Sequence, residues 1–240
     1  MTEFRHMHSA IRVGLLGEFK DGQVAHLAIP RAMDAASDGQ VECVWVPTDS
    51  VGKGESLAEF DGVWCVPGMP YRSEAGALEG IRHARMTRTP FLGTSAGFQY
   101  ALIEFARNVL GIAQAEHQKS NPKAAVPLIA PLDCALLGVK ARVHFRDGTL
   151  LRKAYGIAES VQEYHCGFGL NSRYRRWLES GLVFAAKDDQ DEVRAVELDG
   201  HPFFVATLFE PALESNSPLV KAFAGAVMRR HNTLRAKVAS

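Results

Sequence analysis

The stretch that decides the fold is PFLGTSAGFQYALIEFARNVLG, residues 90–111, in which an apolar run leads through a Gly-x-Ser-x-Gly turn into a helix-forming segment. A buried strand that ends in such a turn and continues as a helix holds the central residue, Ser95, in a constrained backbone conformation. Gly93 and Gly97 lack the side chains that would collide across the turn. The stretch therefore predicts a strand–Ser–helix nucleophile elbow.

Further apolar runs alternate with helical patterns on both sides of the elbow. Strands are predicted at residues 11–19, 41–48, 60–68 and 89–94, and helices at residues 24–36, 74–86 and 96–111. Near-continuous apolar strands separated by helices are typical of a parallel sheet that is covered on both faces. The sequence therefore predicts an α/β, flavodoxin-like sandwich with a mainly parallel central sheet.

The pattern changes after about Cys134, where predicted strands follow one another closely. The runs CALLGVKARVHF, EYHCGFGLN, GLVFAAKD, VRAVELDG and PFFVATLFE predict a small antiparallel extension of the sheet. An amphipathic helix is predicted at residues 218–239. Because no repeat or linker interrupts the pattern, residues 1–240 are predicted to form one domain, with residues 1–10 as a flexible N-terminal tail.

The composition argues against several classes of protein. The chain has 240 residues, enough for one full core, and its 27 basic residues balance 27 acidic ones. This balance indicates neither a nucleic-acid partner nor a membrane-surface partner. No apolar run reaches the roughly 20 residues of a membrane helix, and the N-terminus lacks the apolar segment of a secretory signal. Four scattered cysteines without a CxxC pair indicate a reduced, cytoplasmic setting.

Three segments are expected to meet beyond the carboxyl ends of the parallel strands, where open α/β sheets bind their ligands. These segments are VPGMPYRSE (66–74), GTSAG (93–97) and FEPALES (209–215). The backbone N–H groups of Ala96, at the start of the elbow helix, and of Gly68 can donate to an oxyanion that forms at Ser95. A small-molecule substrate is therefore expected at this edge.

The elbow segment resembles the nucleophile segment of the class I glutamine amidotransferase domain of CTP synthases, in which Gly-x-Cys-x-Gly-Met-Gln leads into an IEFARNV helix. The likeness continues, in the same order along nearly the whole chain, in VPGMPYRSEAGALEGIRHAR, LLRKAYG, RRWLESGLVFAAKDD and VRAVELDGHPFFVATLFEP. The resemblance implies the class I glutamine amidotransferase-like fold.

The resemblance also marks departures at the positions of the family's chemistry. The family's nucleophilic Cys falls on Ser95, its general-base His on Glu210 and its orienting Glu on Ala212. The Arg that binds the carboxylate of glutamine falls on Gly167. Glutamine hydrolysis needs a thiolate formed by an adjacent imidazole. The resemblance therefore implies a substituted triad, without ordinary glutaminase or CTP synthase activity.

Part of the family's substrate pocket is retained. Gly68 and Gln99 match it, and the glutamate that holds the substrate amine maps near Glu116. The GTSAG elbow also resembles that of the peptidase E and cyanophycinase families, which use a serine nucleophile with a histidine base. A working serine at position 95 is therefore consistent with this type of elbow.

Four residues are candidates for a rebuilt reaction centre around Ser95. His117 and His165 are candidate bases, and Glu210 is a base if burial raises its pKa. Cys166 is a candidate thiolate nucleophile or redox group. Adjacent residues on a strand point to opposite faces, so only one of His165 and Cys166 is expected to face the site.

Structural roles are expected for the remaining cysteines and for two helical histidines. Cys43, Cys65 and Cys134 lie in apolar strands and are expected to fill the core. His26 and His83 belong to predicted helices away from the strand ends and are expected to be surface or packing residues.

Two functions are compatible with the sequence. One is a rebuilt hydrolase or transferase that acts on a small amide or amino-acid-like substrate through Ser95. The other is a non-catalytic metabolite-binding or regulatory module. No cofactor is expected, and the spacing of Glu116, His117, Cys166 and Glu210 matches no strong metal-ligand pattern. A homodimer or a synthase-like partner remains open.

Overall fold

The computed structural model describes residues 10–52 and 56–238. The flexible tail expected at residues 1–10 lies outside the described residues, apart from an exposed Ala10. The strands are β1 (Ile11–Leu16), β2 (Val41–Val46), β3 (Gly62–Cys65), β4 (Phe91–Thr94), β5 (Ala115–His117), β6 (Val126–Phe145), β7 (Glu159–Leu170), β8 (Leu182–Lys187), β9 (Val193–Leu198) and β10 (Phe204–Thr207). The helices are α1 (Val24–Ser37), α2 (Glu74–Thr87), α3 (Ala96–Asn108), α4 (Leu150–Tyr155), α5 (Arg175–Leu178) and α6 (Pro218–Val238).

The strands form one mixed sheet in the order β2-β1-β3-β4-β10-β9-β8-β6-β5, with β7 paired to β6. The first five strands of this order are parallel. From β10 onward the pairs β10–β9, β9–β8, β8–β6 and β6–β7 are antiparallel. The predicted α/β class is confirmed, with its mainly parallel sheet and antiparallel extension. The extension is dominated by a β6–β7 ribbon, because β8 pairs with only the last two residues of β6.

The helices pack in pairs against the sheet. α1 contacts α6, and α2 contacts α3. α3 is buried at every position from Ala96 to Ala106, which explains why the segment is apolar on nearly all sides. Arg85 of α2 makes a two-pronged ion pair with the buried Glu104 of α3, through Nη2–Oε1 (2.8 Å) and Nε–Oε2 (3.0 Å). Among the described helices, none is both long and apolar enough to cross a bilayer.

A tight turn at Ser95 joins β4 to α3. Ser95 has φ 54° and ψ −105°, a conformation that costs a non-glycine residue on the order of 1–3 kcal/mol. Backbone packing enforces this turn. The Ser95 N–H donates to the carbonyl of Thr207 at 2.8 Å. A Cβ on Gly97 would lie 2.1 Å from the carbonyl oxygen of Cys65, and one on Gly93 would lie 2.8 Å from the carbonyl oxygen of Gly97. The start of α3 therefore lies directly against the end of β3.

This close approach predicts that Gly97→Ala destabilises the fold by about 2–3 kcal/mol or more, because the new methyl overlaps a backbone oxygen that cannot move aside. Gly167→Ala is the matched control, since a Cβ there meets no atom within 4 Å. The control should change stability by less than about 0.5 kcal/mol. Urea denaturation of both variants measures the difference. Equal unfolding midpoints would contradict the elbow packing.

Candidate active site

Three polar side chains meet at the carboxyl edge of the parallel strands. Ser95 follows β4, Glu210 follows β10, and Cys166 lies on β7. Ser95 is 6% exposed, Cys166 4% and Glu210 5%. Buried polar groups need partners inside the protein, and these three obtain theirs mainly from one another and from nearby backbone.

Cys166 contacts Ser95 directly, with 2.8 Å between Sγ and Oγ. Either atom can be the donor in this contact, and the Cys166 S–H can instead donate to the carbonyl of Leu208 at 3.4 Å. Burial raises the pKa of the Cys166 thiol to about 12, although the hydrogen bond with Ser95 opposes the rise. The raised pKa disfavours the thiolate for which Cys166 is a candidate, and its thiol borders Ser95.

Glu210 supplies the carboxylate of the site. Its backbone N–H donates to the carbonyl of Glu163 at 2.9 Å, which fixes the segment after β10 beside β7. Burial raises the pKa of Glu210, while the nearby His165 and the neighbouring Ser95 hydroxyl partly offset the rise. A carboxylate of raised basicity beside the Ser95 hydroxyl is suited to accept its proton.

His165 approaches the same carboxylate from the other face of β7. Its Nδ1 lies 3.8 Å from Glu210 Oε2, and its Nε2 lies 3.7 Å from Glu163 Oε1. The side chains of His165 and Cys166 point to opposite faces of β7, as expected, and of these two residues Cys166 contacts Ser95. His165 nevertheless reaches the site through Glu210. It can compensate the buried charge, but in this geometry it does not take the Ser95 proton directly.

His117 bonds to Gln99 rather than to Ser95. Its Nδ1 accepts from the Lys119 N–H at 3.1 Å, so the neutral ring carries its proton on Nε2, 3.1 Å from Gln99 Oε1. Burial lowers the pKa of His117 to about 4. The Gln99 amide in turn donates to the carbonyl of Phe168 at 2.9 Å. His117 thus orients Gln99, and it is not brought to Ser95 as the base that the sequence allowed.

Glu116 points away from His117, to the opposite face of β5. Its carboxylate accepts from Asn121 Nδ2 at 2.6 Å and lies 3.9 Å from Arg107 Nη2. Both of these contacts lie away from the elbow turn. The proposed substrate-binding role of Glu116 therefore receives no support from the geometry.

The two candidate oxyanion donors lie at the ends of adjacent parallel strands. Ala96 is the first residue of α3, and Gly68 follows β3 with φ 118°. The loop that carries Gly68 is held by His26, whose Nε2 lies 2.7 Å from the carbonyl oxygen of Pro67. The expectation that His26 lies away from the strand ends is wrong. The register of β1 beside β3 could have revealed this, because residues shortly after β1 must reach the same edge of the sheet.

A small cavity adjoins the site. A cavity of about 100 Å³ lies beside Glu210 and is also lined by Lys140, Gln162, Glu163 and Glu214. A larger cavity of about 720 Å³ lies around β8, away from the elbow. Within residues 10–52 and 56–238, no group of three or more His, Cys, Asp or Glu side chains is arranged to hold a metal ion.

The other cysteines differ in exposure. Cys65 is fully buried, as expected, and Cys43 is half-buried. Cys134 is exposed, so its predicted core position is wrong. It lies where the pairing of β6 with β7 shifts register between Pro131 and Leu136, and such irregularities let an apolar residue face solvent.

Fold and site together define an α/β protein with a serine elbow, a glycine loop beside it and a buried carboxylate. Comparison with protein-family models matches residues 28–211 to glutamine amidotransferase class-I. Since this match spans well over half of the chain, the protein belongs to the class I glutamine amidotransferase family.

Curated relatives include CTP synthases. That of Pyrobaculum aerophilum is 33% identical over 222 residues, which cover 85% of this chain and 42% of that protein. That of Rubrobacter xylanophilus is 33% identical over 249 residues, covering 93% and 45%. The chain thus spans less than half the length of these relatives.

Solved structures share the fold. The glutaminase domain of Trypanosoma brucei CTPS with bound acivicin gives a TM-score of 0.80 at 21% identity, covering 92% of this chain and 94% of that one. A glutamine amidotransferase from Thermotoga maritima gives a TM-score of 0.58 at 11% identity, covering 93% and 99%.

Glu210→Gln should leave stability at pH 7.5 unchanged or slightly increased. Because the pKa of Glu210 is raised in the folded protein, folding favours its protonated form, and its contribution to stability falls as pH rises through that pKa. Glutamine removes this unfavourable charge. Relative to the wild type, the variant should gain stability as pH rises from the ordinary pKa of glutamate through the raised pKa of folded Glu210, as measured by urea denaturation.

Glu197→Gln is the contrasting control. The pKa of Glu197 is also raised by burial, but its carboxylate accepts the N–H groups of Leu150 at 2.8 Å and Leu151 at 2.7 Å. An amide cannot replace both acceptor oxygens, so this variant should lose at least about 1 kcal/mol. A comparable loss in Glu210→Gln would make Glu210 a structural residue.

Cysteine accessibility gives a further test. Iodoacetamide at pH 7.5 should modify Cys134 first, while Cys65 and Cys166 react after unfolding, because both thiols are buried and their pKa values are raised to about 12. Mass-spectrometric mapping of the alkylated peptides measures the order. Early modification of Cys166 would show that the site opens readily or holds a thiolate.

Proposed function

We propose that this chain is an acyl-transfer enzyme on the class I glutamine amidotransferase fold. Ser95 is the nucleophile and Glu210 the base, and the substrate is a small amide or amino-acid-like molecule. The observation that carries the proposal is the strained Ser95 turn (φ 54°, ψ −105°), which lies beside the buried carboxylate of Glu210, whose pKa is raised by burial. Backbone strain is retained where a reaction or a ligand requires it.

The side chains support a complete reaction. Ser95 Oγ attacks the carbonyl carbon of the substrate while its proton passes to the Glu210 carboxylate. The resulting oxyanion accepts hydrogen bonds from the N–H groups of Ala96 and Gly68. The C–N bond then breaks, and the Glu210 proton passes to the leaving nitrogen. In a second step, water attacks the Ser95 ester with Glu210 again taking and returning the proton.

Glutamine is not the expected substrate. By resemblance, the positions of the family's nucleophile, base and orienting acid carry Ser95, Glu210 and Ala212. The position of the carboxylate-binding arginine carries Gly167, where a Cβ would meet nothing within 4 Å. A thiolate–imidazole pair and a cation for the α-carboxylate are therefore absent from these positions, and both are needed for ordinary glutamine hydrolysis.

Burial of the site favours one alternative function, a non-catalytic module that binds a small metabolite. Ser95, with 6% of its surface exposed, is poorly accessible, and a binding module that encloses a small metabolite has no need to release it quickly. Under this alternative, Glu210 and His165 hold the ligand and Ser95 does not react. Covalent labelling distinguishes the two functions.

The test is labelling by a small dialkyl fluorophosphonate, in which Ser95 Oγ displaces fluoride from phosphorus. Wild-type protein should be labelled at Ser95, and Ser95→Ala should not be labelled. Glu210→Gln should label about 100-fold more slowly or worse, because the base is lost. The wild-type rate should rise as pH increases through the pKa of Glu210, since only the carboxylate accepts the proton.

Glu214→Gln is the matched control. Glu214 lines the same small cavity, but its carboxylate accepts from the Tyr155 hydroxyl at 3.0 Å. The control should label at nearly the wild-type rate. Ammonia release from glutamine should stay at background in all four proteins. Absence of wild-type labelling would overturn the enzyme and leave the binding module. Ser95-dependent ammonia release would overturn the exclusion of glutamine.

A further inference from the structure

Side chains hold every carbonyl of the loop that follows β3, from Val66 to Met69. The hydrogen bonds are Tyr71 Oη to Val66 O (2.5 Å), His26 Nε2 to Pro67 O (2.7 Å), Lys20 Nζ to Gly68 O (3.2 Å) and Lys20 Nζ to Met69 O (3.4 Å). Two of the three donor residues come from the segment after β1, which is remote from this loop in sequence. The carbonyl groups of the loop are therefore held by side chains of residues outside it, and not by hydrogen bonds within its own backbone.

His26 is the most buried of these anchors, with 1% of its surface exposed. The backbone N–H of Lys20 donates to its Nδ1 at 3.0 Å, so the neutral ring carries its proton on Nε2 and donates to Pro67 O. Burial lowers the pKa of His26, which keeps the ring neutral at neutral pH. The imidazole thus links the end of β1 to the loop after β3.

The direction of this bond determines where the Gly68 N–H points. In a planar trans peptide, the C=O and the following N–H point in opposite directions. Because the Pro67 carbonyl faces His26, the Gly68 N–H faces away from α1. A Cβ on Gly68 would lie 2.9 Å from Gln23 Oε1 and 3.3 Å from His26 Nε2. The peptide is therefore packed closely against the anchor.

We propose that His26 is a positioning residue of the active site. It holds the Pro67–Gly68 peptide so that the Gly68 N–H is ready to donate to the oxyanion that forms at Ser95. This inference rests on the proposed acyl-transfer function. His26 itself touches neither the substrate nor Ser95, and it acts through one peptide group. Preorganised donors of this kind lower a reaction barrier because they need no reorientation when charge develops.

His201 provides a matched control elsewhere in the fold. It is also buried, its Nδ1 accepts from the Phe203 N–H at 3.2 Å, and its Nε2 lies 3.3 Å from the carbonyl of Ala84. Burial likewise lowers its pKa, to about 4. His26 and His201 have the same hydrogen-bonding pattern, but of the two only His26 is bonded to the loop that carries Gly68.

The experiment compares fluorophosphonate labelling rates of four variants with the wild type: His26→Gln, His26→Phe, His201→Gln and His201→Phe. Gln can keep the donor to the carbonyl, whereas Phe keeps a ring without one. His26→Phe should label at least about tenfold more slowly, since a misplaced donor loses much of its effect. His26→Gln should restore most of the rate. Both His201 variants should label like the wild type, even where they unfold at lower urea.

Hydrogen exchange at the Gly68 and Met69 amides provides a second measurement that does not depend on catalysis. Faster exchange in His26→Phe but not in His201→Phe supports the positioning role, and unchanged exchange overturns it. An unchanged labelling rate in His26→Phe, or an equal loss in His201→Phe, also overturns it. If the wild type is not labelled at all, the proposed function fails, and the exchange measurement alone decides whether His26 holds the loop.

Discussion

The contact between Gly97 and the carbonyl of Cys65 is the constraint on which the site depends. It brings the first turn of α3 against the end of β3 with no room for a side chain. Ser95 and Ala96 stand immediately before this contact, and the loop with Gly68 begins immediately after Cys65. One close approach of backbone therefore sets the spacing between Ser95 and the N–H groups of Ala96 and Gly68, the oxyanion donors that we propose.

A second backbone bond places the carboxylate. The Ser95 N–H donates to Thr207 at the end of β10, and the chain reaches Glu210 three residues later. Since both constraints are made by main chain and glycine, the geometry persists whichever side chains occupy positions 95 and 210. A serine at position 95 and a glutamate at position 210 therefore fit the backbone scaffold of the family. Removing Glu210 from water raises its basicity, and His165 limits that rise.

The sequence predicted the parts of the structure that are encoded locally. The glycine spacing around Ser95 required a tight turn, and alternating apolar strands and helices required a parallel sheet.

Contacts between distant segments were harder to foresee. Nothing next to His26 in sequence indicates Pro67, because their meeting depends on β1 pairing with β3. His117 is one of the candidate bases that the sequence allows, but its ring is bonded to Gln99. Cys134 was placed in the core because a shift in strand register cannot be read from an apolar run. Glu210 and Cys166 were named through family resemblance, and their contacts with Ser95 became visible only in three dimensions.

The burial of Ser95 has a kinetic consequence. In the acyl-transfer enzyme that we propose, a nucleophile with so little exposed surface meets its substrate only when the surrounding segments separate, so substrate entry becomes a step with its own rate. For such an enzyme, discrimination between substrates begins at the entrance, where size matters more than reactivity. Turnover would then depend more on temperature and solvent viscosity than on the intrinsic reactivity of the amide.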